Sequence, residues 1–321
     1  MNILALDFGG TRTRAAWFVD DRLIQRGEQP TRVTDGQDAV IARLIATGRA
    51  AIPTGMQPDA IGIAAPAPQD APNGVILRSE NLPGWSNVPL GALLSAAFGG
   101  VPVYMGNDGD LGALAEYHRG ARAGANPLIY MTISTGIGGG AMIDGTLFTG
   151  ARGLAIEPGH QRFMLPDGRV QRLEELASGT ALGETARAGL VTSDVKSSLR
   201  GVAIVDGKAV GVAALAGDAF ALDIVRTAAR WLGLGIANLL HLFNPAALVL
   251  GGSVTALGDI WFAPLLTTIR ANLTHPAFCP DDLISISTLG DEVVLIGAAV
   301  HARQGTLGGT SSSSSVQDAR C

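Results

Sequence analysis

The chain has 321 residues, of which 47% are hydrophobic, and a formal net charge of -5 at pH 7. This length favours two domains, and the hydrophobic content suffices for two cores. The acidic balance, without a dense lysine or arginine run, argues against binding to nucleic acid or to an anionic membrane. The only cysteines, Cys279 and Cys321, exclude a disulfide framework and a multi-cysteine zinc site, and they favour a reducing, cytoplasmic setting.

The two ends and the longest apolar stretch each carry a prediction. Residues 1–6 lack the basic start of a signal peptide and predict a first β-strand. Residues 231–250 are interrupted by Asn238, His241 and Asn244, so they predict a buried helix followed by a strand and not a membrane span. Residues 305–321 are of low complexity and predict a disordered tail.

One pattern occurs twice, in residues 2–27 and in residues 127–148: strand, glycine-rich turn, strand, aspartate-containing turn, short strand. Glycines let backbone N–H groups approach an anion, and a neighbouring threonine hydroxyl can donate to phosphate. A lone Gly-Gly is usually only a turn, but the repetition favours two phosphate-binding turns. Neither turn matches a Walker loop or a dinucleotide fingerprint. The residues assigned to phosphate are Gly9, Gly10, Thr11, Thr135, Gly136 and Gly138.

A later strand, residues 246–250, ends at Gly251-Gly252 before a polar turn. Two glycines there allow a flat base to lie against the backbone, and we assign them to the nucleotide. Close packing of a helix on the strand explains them equally well. Residues 290–303 predict a final helix with an acidic first turn.

A strand over residues 101–106 ends at Asn107-Asp108, where a helix of small residues begins. Asp108 occupies the position of a helix cap, which aspartate favours for backbone reasons alone. Phosphoryl transfer also needs a carboxylate to accept the proton of the attacking hydroxyl. Both roles stay open for Asp108.

The ordered set of motifs resembles the ROK family of sugar kinases and sugar-responsive repressors. The resemblance covers residues 7–299 and rests on DFGGT (7–11), NLPGW (81–85), ND with ALAE (107–116), STGIGGG (134–140), EPGH (157–160), LEELASG (173–179), LGGS (250–253) and GDEVVLIGAA (290–299). It implies an α/β protein of the actin/hexokinase type, a ribonuclease H-like duplicated fold with two lobes and a cleft between them. The expected lobes are residues 1–107 with 290–304, and residues 108–289.

The resemblance also implies a set of hexose-binding residues: Asn81, Asn107, Asp108, Glu157, His160 and Glu174. Carboxylates and imidazole donate or accept in fixed directions and so distinguish hydroxyl positions on a ring. Asn81 is the weaker member, because its loop fits a turn equally well. We expect alanine at Glu157, His160 or Glu174 to weaken hexose binding far more than ATP binding.

The chain departs from the family where most members carry a cysteine-rich zinc motif. Residues 161–172, QRFMLPDGRVQR, contain no cysteine. We therefore expect no structural zinc and no metal ligands in the protein. Some other group must orient His160, unless this histidine is only a residue of the core.

The leading hypothesis is ATP-dependent phosphorylation of a glucose-like hexose at its primary hydroxyl, with Asp108 as general base. Mg²⁺ would bind with ATP near Asp7. Alternatives are a kinase for N-acetylhexosamine, mannose or fructose, including the acetamido-sugar kinases that DFGGTRTR also resembles, or a catalytically idle sugar-binding regulator. Family repressors have a helix-turn-helix before the first turn, where this chain has a strand, so we expect no nucleic-acid partner. The sequence leaves open polyphosphate as donor and a homodimer.

Overall fold

The structure is a computed structural model, and it describes residues 1–66, 68–77, 82 and 84–312. The chain divides into two compact units, Met1–His118 with Asp291–Cys321, and Arg119–Gly290. The lobe boundary expected from the sequence lies after residue 107 and so differs from this division by one helix. Asn81 lies outside the described residues.

The first unit is built on a five-stranded sheet in the order β3-β2-β1-β4-β7. β1 pairs antiparallel with β2 and parallel with β4, so a three-strand meander leads into parallel strands. The elements are β1 (Asn2–Phe8), β2 (Arg12–Val19), β3 (Arg22–Pro30), α1 (Gln37–Ala51), β4 (Ala60–Ala64), β5 (Gln69–Asp70), β6 (Val75–Ile76), α2 (Leu90–Ala97), β7 (Val103–Gly106) and α3 (Asp108–Arg119).

The second unit repeats this sheet in the order β10-β9-β8-β13-β14, again with a meander followed by parallel strands. The duplication expected from the two glycine-rich hairpins is therefore confirmed. The elements are β8 (Leu128–Ile133), β9 (Ile137–Ile143), β10 (Thr146–Leu147), β11 (Arg162–Met164), β12 (Val170–Arg172), α4 (Leu173–Ala177), α5 (Gly179–Thr192), α6 (Gly207–Leu215), α7 (Ala219–Phe243), β13 (Ala247–Gly251), α8 (Asp259–Ala271) and β14 (Ile284–Ile286).

The last helix, α9 (Val293–Ser312), belongs to the first unit, where Leu295 and Ala298 pack with β1 in one hydrophobic cluster. It extends beyond residue 304, into the segment that the sequence predicts as a disordered tail. Gly305 packs against the ring of Tyr104, and the Thr306 hydroxyl donates to the Ala302 carbonyl at 2.8 Å, which continues the helix. Residues 313–321 lie outside the described residues.

Each sheet buries alternate apolar side chains under its helices. In the second unit, α7 and β13 are the buried helix and strand expected from residues 231–250. Among the described residues, no helix combines the length and the hydrophobicity that a membrane span requires.

Candidate active site

The turn between β1 and β2 exposes a short stretch of backbone. The Gly9 N–H donates to the Arg12 carbonyl at 3.1 Å, and a Cβ atom at Gly9 would lie 2.7 Å from that oxygen, so a side chain does not fit. The Thr31 hydroxyl fixes the turn from below by donating to the Gly9 carbonyl at 2.6 Å. Gly10 and Thr11 are exposed. The turn thus has a rigid base and an open outer side, as an anion-binding turn requires.

Asp7, in β1 directly before this turn, is a buried carboxylate. Arg14, its cross-strand partner in β2, donates to Asp7 Oδ2 from Nε at 2.7 Å and contacts the same oxygen from Nη2 at 2.5 Å. Burial raises the pKa of Asp7, the Arg14 charge opposes this rise, and the charge of Asp108 adds to it.

Asn107 makes the capping contact at the start of α3. Its Oδ1 accepts the Asp110 N–H at 2.6 Å, and its Nδ2 donates to Asp110 Oδ2 at 3.0 Å. Asp108 is the first residue of the helix, and its Oδ1 accepts the adjacent Gly109 N–H at 2.9 Å. The sequence left open whether Asp108 is a cap, and the structure gives that contact to Asn107.

The corresponding turn of the second unit, between β8 and β9, is enclosed by other segments. Its Ser134 carbonyl accepts the Gly179 N–H at 2.6 Å, and a Cβ atom at Gly252, where φ is +91°, would overlap the carbonyl of Ile133. Thr135 remains exposed, while Gly138 lies in β9 opposite Thr132. Three separate motifs therefore meet at this turn.

A 3-10 turn covers Pro158–His160, so Glu157 directly precedes it and His160 is its last residue. Pro158 and Gly159 are buried, whereas Glu157 and His160 are exposed, so His160 is not a residue of the core. A Cβ atom at Gly159 would overlap the Ile137 carbonyl, which places this turn directly on the start of β9.

Ile156, two residues before this turn, has a strained backbone that points to a functional site. Ile156 has a φ of +58°, a left-handed conformation that a β-branched residue rarely adopts. Such strain costs about 1–3 kcal/mol and concentrates at binding and catalytic sites. Nothing in the sequence around Ile156 predicts it.

Glu174, in α4, contacts the glycine-rich turn between β8 and β9 of its own unit. Its Oε2 accepts the Ile137 N–H at 2.9 Å, and a Cβ atom at Gly136 would overlap the same oxygen. Arg172 Nη1 lies 3.9 Å from the other oxygen, Oε1. Glu174 therefore positions the β8–β9 turn, a role that the sequence did not predict.

A cavity of about 600 Å³ opens beside this turn, within the second unit. Ser134 and Thr135 form one side, and the starts of α5 and α6 and the segment after β13 form the others. The cavity combines an apolar wall with two cations: its lining includes Leu182, Val212, Leu215, Val254, Leu257, Arg187 and Lys208. None of these seven residues was predicted, because they come from segments without a recognisable motif.

Gly251 and Gly252 do not line this cavity. In the segment after β13, the first lining residue is Ser253. A Cβ atom at Gly251 would lie 2.5 Å from the Tyr130 hydroxyl, and Gly252 approaches the β8 backbone. Close packing is therefore observed at both glycines, and their assignment to the nucleotide stays a prediction.

The residues around His160 do not fit a structural zinc ion. Residues 161–172 provide no cysteine, and within the described ranges no group of three His, Cys, Asp or Glu side chains is placed to hold a metal. Structural zinc requires a closed set of about four such ligands. The turn that carries His160 must be held in another way.

Comparison with known proteins agrees with the motifs. The sequence model that describes the ROK family matches residues 3–305 of the chain. The chain is 31% identical over 309 residues to a glucokinase of Thermotoga maritima, an alignment that covers 93% of this chain and 96% of that protein. A ROK family glucokinase from Streptomyces griseus, solved in complex with glucose and AMPPNP, matches with a TM-score of 0.79 and 31% identity over 95% of this chain and 100% of that one.

A regulator is also similar. The chain is 30% identical over 284 residues to a putative xylose repressor of a Caldicellulosiruptor species, covering 85% of this chain and 69% of that protein. Family membership is thus common to kinases and repressors. The fold is the actin/hexokinase type, with its duplicated α/β units, and the chain belongs to the ROK family.

Proposed function

We propose that the protein is an ATP-dependent kinase that phosphorylates a glucose-like hexose at its primary hydroxyl, with Asp108 as the general base. The observation that carries the proposal is that Asn107, and not Asp108, accepts the Asp110 N–H at the start of α3. Asn107 makes the capping hydrogen bond to the Asp110 N–H at 2.6 Å, so this bond does not use the Asp108 carboxylate. Phosphoryl transfer needs such a carboxylate beside the attacking hydroxyl.

The second unit is proposed to bind the nucleoside of ATP in the cavity beside Thr135. Apolar side chains such as Val212 and Leu215 suit the faces of a purine base, and they are 62% and 60% exposed. Arg187 and Lys208 bring positive charge to the same cavity, which suits a phosphate chain. The exposed Thr135 hydroxyl and the backbone of its turn fit phosphate oxygens. The similarity to a glucokinase solved with AMPPNP supports this assignment.

Glu157 and His160 of the second unit are proposed to bind hexose hydroxyls. The exposure of the two side chains on a turn with a buried centre supports this role, because the backbone is fixed while the polar groups face outward. Glu174 is proposed to share its carboxylate between a hydroxyl and the Ile137 N–H. Asn107 has less freedom than the sequence suggested, since Asp110 contacts both its amide oxygen and its amide nitrogen.

The carboxylates of the first unit fit a magnesium ion that arrives with ATP, because Mg²⁺ prefers oxygen ligands and usually keeps substrate phosphates among them. The ion would lie near Asp7, whose carboxylate is held in place by the two contacts from Arg14 to Oδ2. The ion would neutralise phosphate charge. Arg14 orients the Asp7 carboxylate whether or not a metal is bound.

The test is the variant Asp108→Asn, assayed with a panel of hexoses, ATP and Mg²⁺. We expect kcat to fall by about 10²- to 10⁴-fold while calorimetric hexose binding and the melting temperature are kept. Asp38→Asn is the matched control, because Asp38 is an exposed aspartate in the first turn of α1. Near-normal kcat in Asp108→Asn with every accepted sugar would refute the role of Asp108.

The second candidate is a sugar-binding regulator without catalysis, which the similarity to a repressor favours. The same hexose panel separates the two. Sugar binding without sugar-dependent ATP consumption, under conditions in which a glucokinase control is active, would support the regulator. Mannose, fructose, N-acetylhexosamines and polyphosphate belong in the panel, since small differences in pocket shape decide among such substrates.

A further inference from the structure

One face of α7 receives the segment that follows His160. Trp231, Gly235 and Asn238 are spaced by four and three residues, so they lie on the same side of the helix. The Phe163 ring of β11 packs edge-on against Trp231, with ring centroids 5.8 Å apart. The β11–β12 hairpin is therefore anchored on α7 by an aromatic contact.

Gly235 makes room for two further contacts on this face. A Cβ atom at Gly235 would lie 2.5 Å from Leu173 Cδ2 and 3.4 Å from Gln161 Nε2. The Leu173 N–H in turn donates to the Gln161 carbonyl at 2.8 Å. The two ends of the hairpin are thus joined to each other and lie against the same turn of α7.

The Gln161 side chain connects this anchored hairpin to the turn that carries Glu157 and His160. Its Nε2 donates to the Pro158 carbonyl at 3.1 Å, and its Oε1 accepts from Asn238 Nδ2 at 3.4 Å. The backbone N–H of Gln161 reaches the same Pro158 carbonyl at 3.4 Å. The contact with Asn238 is long and exposed to solvent, so the bond to Pro158 contributes more.

We propose that Gln161 is a positioning residue which, with the α7 face of Trp231, Gly235 and Asn238, holds the Pro158–His160 turn without a metal ion. The sequence from 161 to 172 offers no cysteine ligand, yet the turn needs a fixed backbone to present two polar side chains. A side-chain amide on the Pro158 carbonyl, seated on a helix, provides that constraint. The proposal rests on the proposed sugar-binding role of Glu157 and His160.

The first experiment measures the turn itself and needs no sugar. Hydrogen–deuterium exchange is followed in the peptide that covers residues 156–161 for the wild type, Gln161→Ala and Gln161→Met. We expect both variants to exchange faster there, because methionine keeps the volume but loses the amide. Gln171→Ala, on the facing strand of the same hairpin, is the control and should exchange like the wild type. Unchanged exchange in both Gln161 variants would overturn the proposal.

The second experiment measures ligand affinity by calorimetry with glucose and with AMPPNP. Loss of one hydrogen bond corresponds to about 3- to 10-fold weaker glucose binding, and we expect AMPPNP binding to change less than twofold. Gln161→Glu keeps an acceptor for Asn238 but loses the donor to Pro158, so it should resemble Gln161→Met. Wild-type glucose affinity in Gln161→Met would show that packing suffices and would overturn the role of the amide.

A third experiment uses a chelator to test whether the turn needs a metal ion. Glucose affinity should be the same before and after dialysis against EDTA, and a loss that zinc restores would overturn the proposal. Failure of the positioning role of Gln161 is distinguishable from failure of the proposed function. If the wild type binds glucose without phosphorylating it and the Gln161 variants bind more weakly, the positioning role stands while the kinase assignment falls.

Discussion

Substitution of Glu174 tests whether this residue only binds the sugar or also positions the β8–β9 turn. The Oε2 atom of Glu174 accepts the N–H of Ile137, which is 3% exposed, at the first residue after the glycine turn. Glu174→Ala removes this acceptor and leaves a buried N–H without it. Glu174→Gln keeps an amide oxygen that can accept the same bond. The two variants therefore test different properties of one side chain.

The expected size of the effect follows from the kind of bond. A hydrogen bond to a charged group contributes about 1.5–3 kcal/mol, and the Glu174 side chain is 30% exposed, so solvent reduces its contribution toward the lower end. About 1–1.5 kcal/mol corresponds to roughly 5- to 12-fold in affinity. We expect Glu174→Ala to weaken AMPPNP binding by this factor and glucose binding by at least as much. Glu174→Gln should weaken glucose binding mainly.

Isothermal titration of each variant with glucose and with AMPPNP measures these affinities separately. Glu184→Gln, an exposed glutamate on α5, is the control for the loss of one negative charge. The reasoning is refuted if Glu174→Ala binds AMPPNP as tightly as the wild type while glucose binding falls tenfold. That outcome would return Glu174 to the sugar-only role expected from the sequence.

Three further predictions concern stability. Gly159→Ala should lose about 1–3 kcal/mol of unfolding free energy, because its Cβ would overlap a backbone oxygen of β9. Gly27→Ala, where the space is open, should keep the stability of the wild type. Urea titration compares the two variants, and equal stability would contradict the packing argument. Arg14→Ala should lose about 3 kcal/mol of unfolding free energy at pH 7, because Asp7 keeps a buried charge without its partner. The loss should be smaller at pH 4, where Asp7 is more easily protonated. A loss of stability that is independent of pH would argue against this cause. Although partial burial opposes this shift, hydrogen bonds from backbone N–H groups and serine hydroxyls lower the pKa of Asp218 to about 2. The stabilisation by Asp218 is therefore present above pH 4 and is lost as the pH falls toward 2. The melting temperature of Asp218→Asn should depend less on pH in this range than that of the wild type, and parallel curves for the two proteins would refute this prediction.

The duplicated architecture could be predicted because its signals are local. A meander of three strands is encoded by alternating apolar residues and by glycine or aspartate at each turn, and both copies show these signals within about 25 residues. The end of α9 could not be predicted in this way. Its glycine-rich residues have low helix propensity, and Gly305 packs there against the ring of the distant Tyr104.

The candidate site was predictable only where a motif carried the chemistry. Asn107 and Asp108 were both identified, yet their roles in capping could be assigned only from the hydrogen bond to Asp110. Arg14 was not identified, although its position opposite Asp7 follows from the hairpin register. Thr135 was identified, but the apolar wall of the cavity was missed, because exposed residues such as Val212 and Leu215 resemble ordinary surface positions until the fold brings them together.

The glycines of the second unit show why motif and mechanism do not coincide. Gly159, Gly179 and Gly252 belong to three different motifs, and each brings its segment against the backbone of residues 133–137. A glycine that admits a ligand and a glycine that admits another segment leave the same trace in a sequence. In this structure the three glycines give rigidity to one turn, in which Thr135 is exposed. A substitution at any of the three is therefore expected to impair nucleotide binding through the shape of the turn and without removing a ligand contact.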